Sequence, residues 1–129
     1  MIMAVLYVMR IGFLINPIAG MGGRVGLKGT DGVADQAVAL GAEPVAPGKA
    51  LGTLRFLRAL LVRDASPPEI SWLTCSGAMG HAALEAAGFE DVTDVHNAEA
   101  STSIRDTEKA VRAFRDHEVD LIVFCGGDV

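Results

Sequence analysis

Apolar residues along this chain follow two alternating rhythms. Four short, nearly unbroken apolar runs cover Arg10–Ile15, Glu69–Cys75, Asp91–Val95 and Val119–Cys125. Runs of this length, bounded by glycine, proline or asparagine, predict strands whose two faces are both covered. The segments between them carry helical spacing. Val33–Leu40 predicts a short helix, capped by Thr30 or Asp31 and stopped by Gly41. Lys49–Arg63 predicts a second, with Leu54, Leu57 and Leu61 as an apolar stripe and Pro67-Pro68 forbidding its continuation. A third follows Ser76-Gly-Ala-Met-Gly80 and runs to Ala87, where Gly88 stops it. The fourth, Ser103–His117, puts Ile104, Thr107, Val111 and Phe114 on one face. Ser101, Thr102 or Ser103 caps it, and Ser103 with Asp106 is spaced like a capping box. Strands alternating with helices predict an α/β fold: a three-layer, Rossmann-like or flavodoxin-like parallel sheet with right-handed crossovers.

Composition narrows this picture. The 129 residues are enough for one domain with its own core, and half of them are hydrophobic, with mean hydropathy +0.36. The 15 glycines are clustered, as expected for turns at the edge of a buried sheet. A net charge of −5 leaves no basic patch for a phosphate backbone, and an aromatic content of 5% offers no stacking platform, so no nucleic-acid partner is expected. Cys75 and Cys125 each end an apolar run and have no Cys-x-x-Cys partner. They read as small buried thiols in a reducing cytoplasm. His81, His96 and His117 show no metal-ligand spacing, so no structural zinc is expected. The apolar Met1–Val8 stretch lacks a basic leader and an Ala-x-Ala cleavage site, and it is too short to span a bilayer. No membrane partner is expected. Residues 1–8 read either as an extension upstream of a start at Met9 or as a lengthening of the first strand. Residues 9–129 form the α/β domain.

Ligands of such a sheet bind beyond the carboxyl ends of its strands. Three of those ends carry small residues: Asn16-Pro-Ile-Ala-Gly-Met-Gly-Gly-Arg24, Cys75-Ser-Gly-Ala-Met-Gly80 and Gly126-Gly-Asp128. A bound phosphate must reach main-chain N–H groups, and a Cβ obstructs that approach. One such end alone would read as tight packing or a turn needing positive φ; three at one edge favour a ligand site, although no Walker-type phosphate loop is present. Gly20, Gly22 and Gly23 would line the cradle, with Arg24 and Lys28 supplying cations to neutralise phosphate oxygens. The alternative for the two cations is a solvated loop. Asp31 reads as a helix cap, Asp106 as a first-turn carboxylate favoured by the helix dipole, and His81 as a polar wall of the cleft. Asp128 follows two glycines at the end of what reads as a buried central strand. There it can orient or deprotonate a hydroxyl, or hold Mg²⁺. The competing role is a turn aspartate capping whatever follows.

The segment Ile11-Gly-Phe-Leu-Ile-Asn-Pro-Ile-Ala-Gly-Met-Gly-Gly-Arg-Val-Gly-Leu-Lys-Gly-Thr-Asp-Gly32 resembles the opening of the ATP-NAD kinase family, most closely its prokaryotic and archaeal branch. Asp120–Asp128 resembles the strand that leads into that family's Gly-Gly-Asp-Gly-Thr signature. Thr74–Gly80 and Ser101–Thr107 sit where that branch has comparable segments. The resemblance implies an N-terminal α/β nucleotide-binding domain joined to a C-terminal β-rich domain, and a homo-oligomer for the intact protein. It implies phosphoryl transfer from ATP, or polyphosphate, to the 2′-hydroxyl of the adenosine ribose of NAD, with a divalent metal such as Mg²⁺. Within it Asp128 matches the motif aspartate, Gly126 and Gly127 its glycines, and Asn16 and Gly20 the first strand-end motif. Val129 stands where the signature has glycine. The expectation is therefore a piece of a longer kinase, inactive alone and continuing in its parent into Gly-Thr and the β-rich domain. Two other readings stay open: a nucleotide-binding module without transfer, and a related kinase acting on a lipid or another small hydroxyl compound. A phosphoacceptor receiver domain is disfavoured, because Asn16-Pro17 stands where acidic residues would be needed.

Overall fold

The computed structural model describes residues 7–17, 45–98 and 104–126. Four strands form one sheet: β1 (Val8–Ile15), β2 (Glu69–Cys75), β3 (Val92–His96) and β4 (Leu121–Cys125). Three helices accompany them: α1 (Ala46–Arg63), α2 (His81–Ala86) and α3 (Ile104–Asp116). A 3₁₀ turn, Gly77–Met79, leads into α2. The strand order is β3-β2-β1-β4 and every pairing is parallel. The fold is α/β with a parallel sheet, as the alternating rhythms predict. The helix expected over Val33–Leu40 and the capping residues Ser101–Ser103 lie outside the described residues.

The pleat of β1 separates two cores. Ile11, Phe13 and Ile15 point to one face, where they meet Ala46, Ala50 and Leu54 of α1, Trp72 of β2, and Leu84 with Ala87 from α2 and its end. Leu14 points to the other face, with Leu73, Cys75, Met79 and the α3 residues Ala110 and Phe114. Helices therefore cover both faces, which is the three-layer arrangement. Trp72 stands edge-on to Phe13 at 5.9 Å between ring centroids and tilts onto Phe89 at 5.0 Å.

Two positions decide how close the layers come. Gly12 lies under Phe114: a Cβ there would sit 2.6 Å from the ring's Cδ2 and 2.7 Å from Cγ. α3 can approach β1 this closely only because residue 12 has no side chain. A Cβ on Gly80 would fall onto Thr74 Oγ1 and lie 3.2 Å from the carbonyl of Phe13. The Thr74 hydroxyl, fully buried, donates to that carbonyl at 2.7 Å. It supplies a bond where the β1–β2 pairing ends, at Phe13 opposite Thr74.

The register of β4 is pinned at its start. The N–H of Arg10 donates to Asp120 Oδ2 at 2.8 Å, and the N–H of Asp120 donates to the Arg10 carbonyl at 2.8 Å. That backbone N–H, the Tyr7 hydroxyl and the Arg10 charge hold the Asp120 carboxyl below its ordinary range. In return, the Asp120 carboxylate raises the Tyr7 phenol.

Four expectations need correction. β4 does not lie centrally: it is an edge strand among the described residues, and Leu121, Ile122 and Phe124 are each close to half exposed. An apolar sequence signals burial capacity, not position in the sheet order. The face of α3 is rotated. Ile104 and Val111 are exposed, and the core takes Ala110 and Phe114, because the space over Gly12 admits only small residues around one ring. α1 begins at Ala46 rather than Lys49, with Pro47 in its first turn, where a missing N–H costs nothing. Its buried stripe is Ala46, Ala50 and Leu54, while Leu57 and Leu61 are only partly covered. Finally, β1 starts at Val8, so residues 8 and 9 lengthen the first strand.

Candidate functional site

Because all four strands are parallel, their carboxyl ends share one edge. The segments predicted to bind there leave the sheet side by side. Asn16 follows β1 and Gly126 follows β4, and the N–H of Asn16 donates to the carbonyl of Cys125 at 2.8 Å. Gly126 has φ 148°, in the region that favours glycine, so the chain turns out of β4 there. Asn16 and Gly126 are thus brought together. Gly20, Gly22, Gly23, Arg24, Lys28, Gly127 and Asp128 lie outside the described residues.

The neighbouring strand ends carry a polar network that the sequence did not suggest. Ser76 ends β2. Its N–H donates to the carbonyl of His96 at 3.1 Å, and its hydroxyl accepts the N–H of Ala98 at 2.9 Å. On the α1/α2 face, His81 Nδ1 lies 2.7 Å from Asp94 Oδ1, with Glu85 Oε2 3.6 Å from Nε2. On the α3 face, His96 Nε2 lies 2.8 Å from Asp106 Oδ1. In the two short contacts, to Asp94 and to Asp106, an ionised carboxylate can only accept, so the facing ring nitrogen donates. The carboxyl end of β3 is held on both sides, to α2 by one pair and to α3 by the other.

His81 does sit at this edge as a half-exposed polar wall, and Asp106 does lie in the first turn of α3. Their partners Asp94 and His96 were not anticipated. The pairs join residues 13 and 10 apart in sequence through a β3 whose register shifts between Thr74 and Cys75. No local spacing rule reaches across such an irregularity.

Cys75 lies below this network, opposite His96 in the β2–β3 pairing. Burial, with the Asp106 and Asp94 carboxylates adding to it, pushes its thiol up to about 12. Burial also raises the Cys125 thiol. A thiol held neutral and shut off from solvent is no nucleophile. Both cysteines are free: Cys75 is a small core residue, and Cys125 is partly buried against the other core cluster. Among the described residues, no three His, Cys, Asp or Glu side chains come together as a metal site. No described helix is long and apolar enough to cross a membrane.

The whole edge falls inside one family match. The family model for the ATP-NAD kinase N-terminal domain matches residues 11–129. The chain belongs to that family. Neither curated proteins nor solved structures yield a match. The match begins in β1 and runs past β4, so it takes in every strand end described above. Membership supports a kinase-like role with small-molecule nucleotide substrates.

Proposed function

We propose that this domain is the nucleotide-binding part of an NAD kinase, which transfers a phosphoryl group from ATP, or polyphosphate, to the 2′-hydroxyl of the adenosine ribose of NAD and so makes NADP. The observation that carries the reading is the family match over residues 11–129, set on a sheet whose strand ends converge at Asn16 and Gly126. Phosphoryl transfer asks little covalent chemistry of a protein and much positioning and charge neutralisation. Glycine-rich strand ends suit that task.

In this reading Asp128 accepts the hydroxyl proton and orients the attacking oxygen. Gly126 and Gly127 let the main chain approach the nucleotide. Asn16, Gly20, Gly22 and Gly23 present polar groups and backbone N–H donors to phosphate oxygens, and Arg24 with Lys28 balances their charge. Mg²⁺ would be held by the nucleotide's phosphates, with Asp128 as a candidate protein ligand. When bound there it supplies charge neutralisation. A C-terminal β-rich domain in the parent protein completes the NAD pocket and the oligomer interface, and the reaction takes place in the cytoplasm.

The test is NADP formation from NAD, ATP and Mg²⁺, run on this chain and on one extended through the downstream reading frame. The extended protein is expected to make NADP, and Asp128→Asn is expected to lower kcat by about 10²–10⁴-fold, the usual loss for a positioned base. An extended protein that makes no NADP, or an Asp128→Asn variant with full activity, would overturn the reading.

A further inference from the structure

We propose that the outward face of α1 docks on an anionic phospholipid surface. This goes beyond the kinase reading and does not rest on it.

α1 meets the sheet through Ala46, Ala50 and Leu54. On the far side it carries large apolar side chains where a globular helix normally carries polar ones: Phe56 is 68% exposed and Leu60 47%. At 100° per residue, Lys49, Gly52, Phe56, Leu60 and Arg63 share about a quarter of the helix circumference, turned away from the core. The helix also carries Arg55 and Arg58 but no Asp or Glu, within a chain of net charge −5. Arg58 is occupied, with its guanidinium 5.9 Å over the Phe89 ring. Among the described residues, no carboxylate pairs with Lys49, Arg55 or Arg63.

An apolar stripe fringed by unpaired cations matches the chemistry of a lipid headgroup layer. Phe56 and Leu60 would enter the acyl boundary while Lys49, Arg55 and Arg63 meet the phosphates. A second copy docked on the stripe across a two-fold axis would bring the same cations face to face. The expectation of no membrane partner rested on a Met1–Val8 stretch that lacks a leader and is too short to span a bilayer, which does not bear on cations gathered on one helix.

Co-sedimentation of the full chain with phosphatidylcholine vesicles, with and without phosphatidylglycerol, tests this. Binding is expected to the phosphatidylglycerol vesicles and to fall as salt rises. Each cation contributes about fivefold to partitioning. Arg55→Glu/Arg63→Glu is therefore expected to weaken binding by at least about 25-fold. Phe56→Ser/Leu60→Ser is expected to abolish it, with an unchanged circular dichroism spectrum in both variants. Equal binding to both vesicle types, or retained binding by Phe56→Ser/Leu60→Ser, would overturn the proposal. So would a dimer by light scattering that Phe56→Ser converts to monomer, which would assign the face to a second copy.

Discussion

Replacing Gly12 with alanine tests how the α3 layer is seated. The added methyl carbon would stand 2.6 Å from Phe114 Cδ2, 2.7 Å from Cγ and 3.0 Å from Cε2, where ordinary contact begins at 3.4 Å. The ring must retreat by roughly 1 Å to restore normal packing. It has nowhere to go: Phe114 is fully buried among Leu14, Leu73, Cys75, Met79 and Ala110. The helix itself must move, and overpacking of this kind costs about 1–3 kcal/mol. Urea unfolding followed by the fluorescence of the single tryptophan, Trp72, reads that loss as a lower midpoint at unchanged slope. Gly52→Ala makes the opposite case. Its Cβ meets nothing within 4 Å on an exposed helix face, so it is expected to stabilise by about 0.5–1 kcal/mol. Phe114→Leu combined with Gly12→Ala should cost less than the sum of the two single changes, by about 1 kcal/mol or more. A Gly12→Ala protein as stable as the parent, or strictly additive costs in the double variant, would refute the reasoning.

Further expectations concern buried groups. Thr74→Val keeps the shape but leaves the Phe13 carbonyl without its hydroxyl donor, so a loss of about 1–3 kcal/mol is expected by the same unfolding assay, with Thr74→Ser closer to the parent. Cys75 has its pKa raised from 9.0 to about 12, so the native state holds the thiol proton more tightly than the unfolded chain. Its contribution is complete below the unfolded value and is lost as pH climbs towards the folded one. One unit above the ordinary thiol value the loss is about 1.4 kcal/mol, and Cys75→Ala should flatten that part of the pH–stability curve. Asp120 behaves in the opposite sense, because its pKa is lowered. Its contribution is present above the ordinary carboxylate range and fades as pH falls through the depressed value, an acid-side slope that Asp120→Asn should remove.

Much of the fold was legible because it is written in local rhythm. β2 falls on the residues expected, Glu69–Cys75, and the four strands and the three helices within the described residues are all foreseen. Burial of β1 on both faces follows from an unbroken apolar run. What local rhythm cannot convey is position in the sheet. β4 is as apolar a run as the Ile11–Ile15 part of β1, yet among the described residues it lies at an edge, because order depends on how crossovers run rather than on the strand's own residues. The rotated face of α3 has a similar origin. Its orientation is set by a gap over Gly12, more than a hundred residues back in the chain. At the site, the glycine clusters pointed to the carboxyl edge, and Asn16 and Gly126 do meet there. The His81–Asp94 and His96–Asp106 pairs left no pattern, since each depends on the end of β3 and a helix start brought together in space.

The pairing of β1 with β4 also sets the order in which this domain can assemble. The bond from Arg10 to Asp120 spans 110 residues, and the tie from Asn16 to Cys125 is nearly as long. β1 and β2 can meet once the second strand exists, but the loop that brings in β4 closes over almost the whole chain. Closing it carries the largest entropic cost of any contact in the sheet. On a ribosome, where the chain emerges at about 5–20 residues per second, the first strand waits several seconds for its second neighbour. The proposed nucleotide edge is therefore the last feature of the domain to form. Until then β1 presents an open, apolar flank, the part of the nascent chain that a chaperone would have most reason to cover.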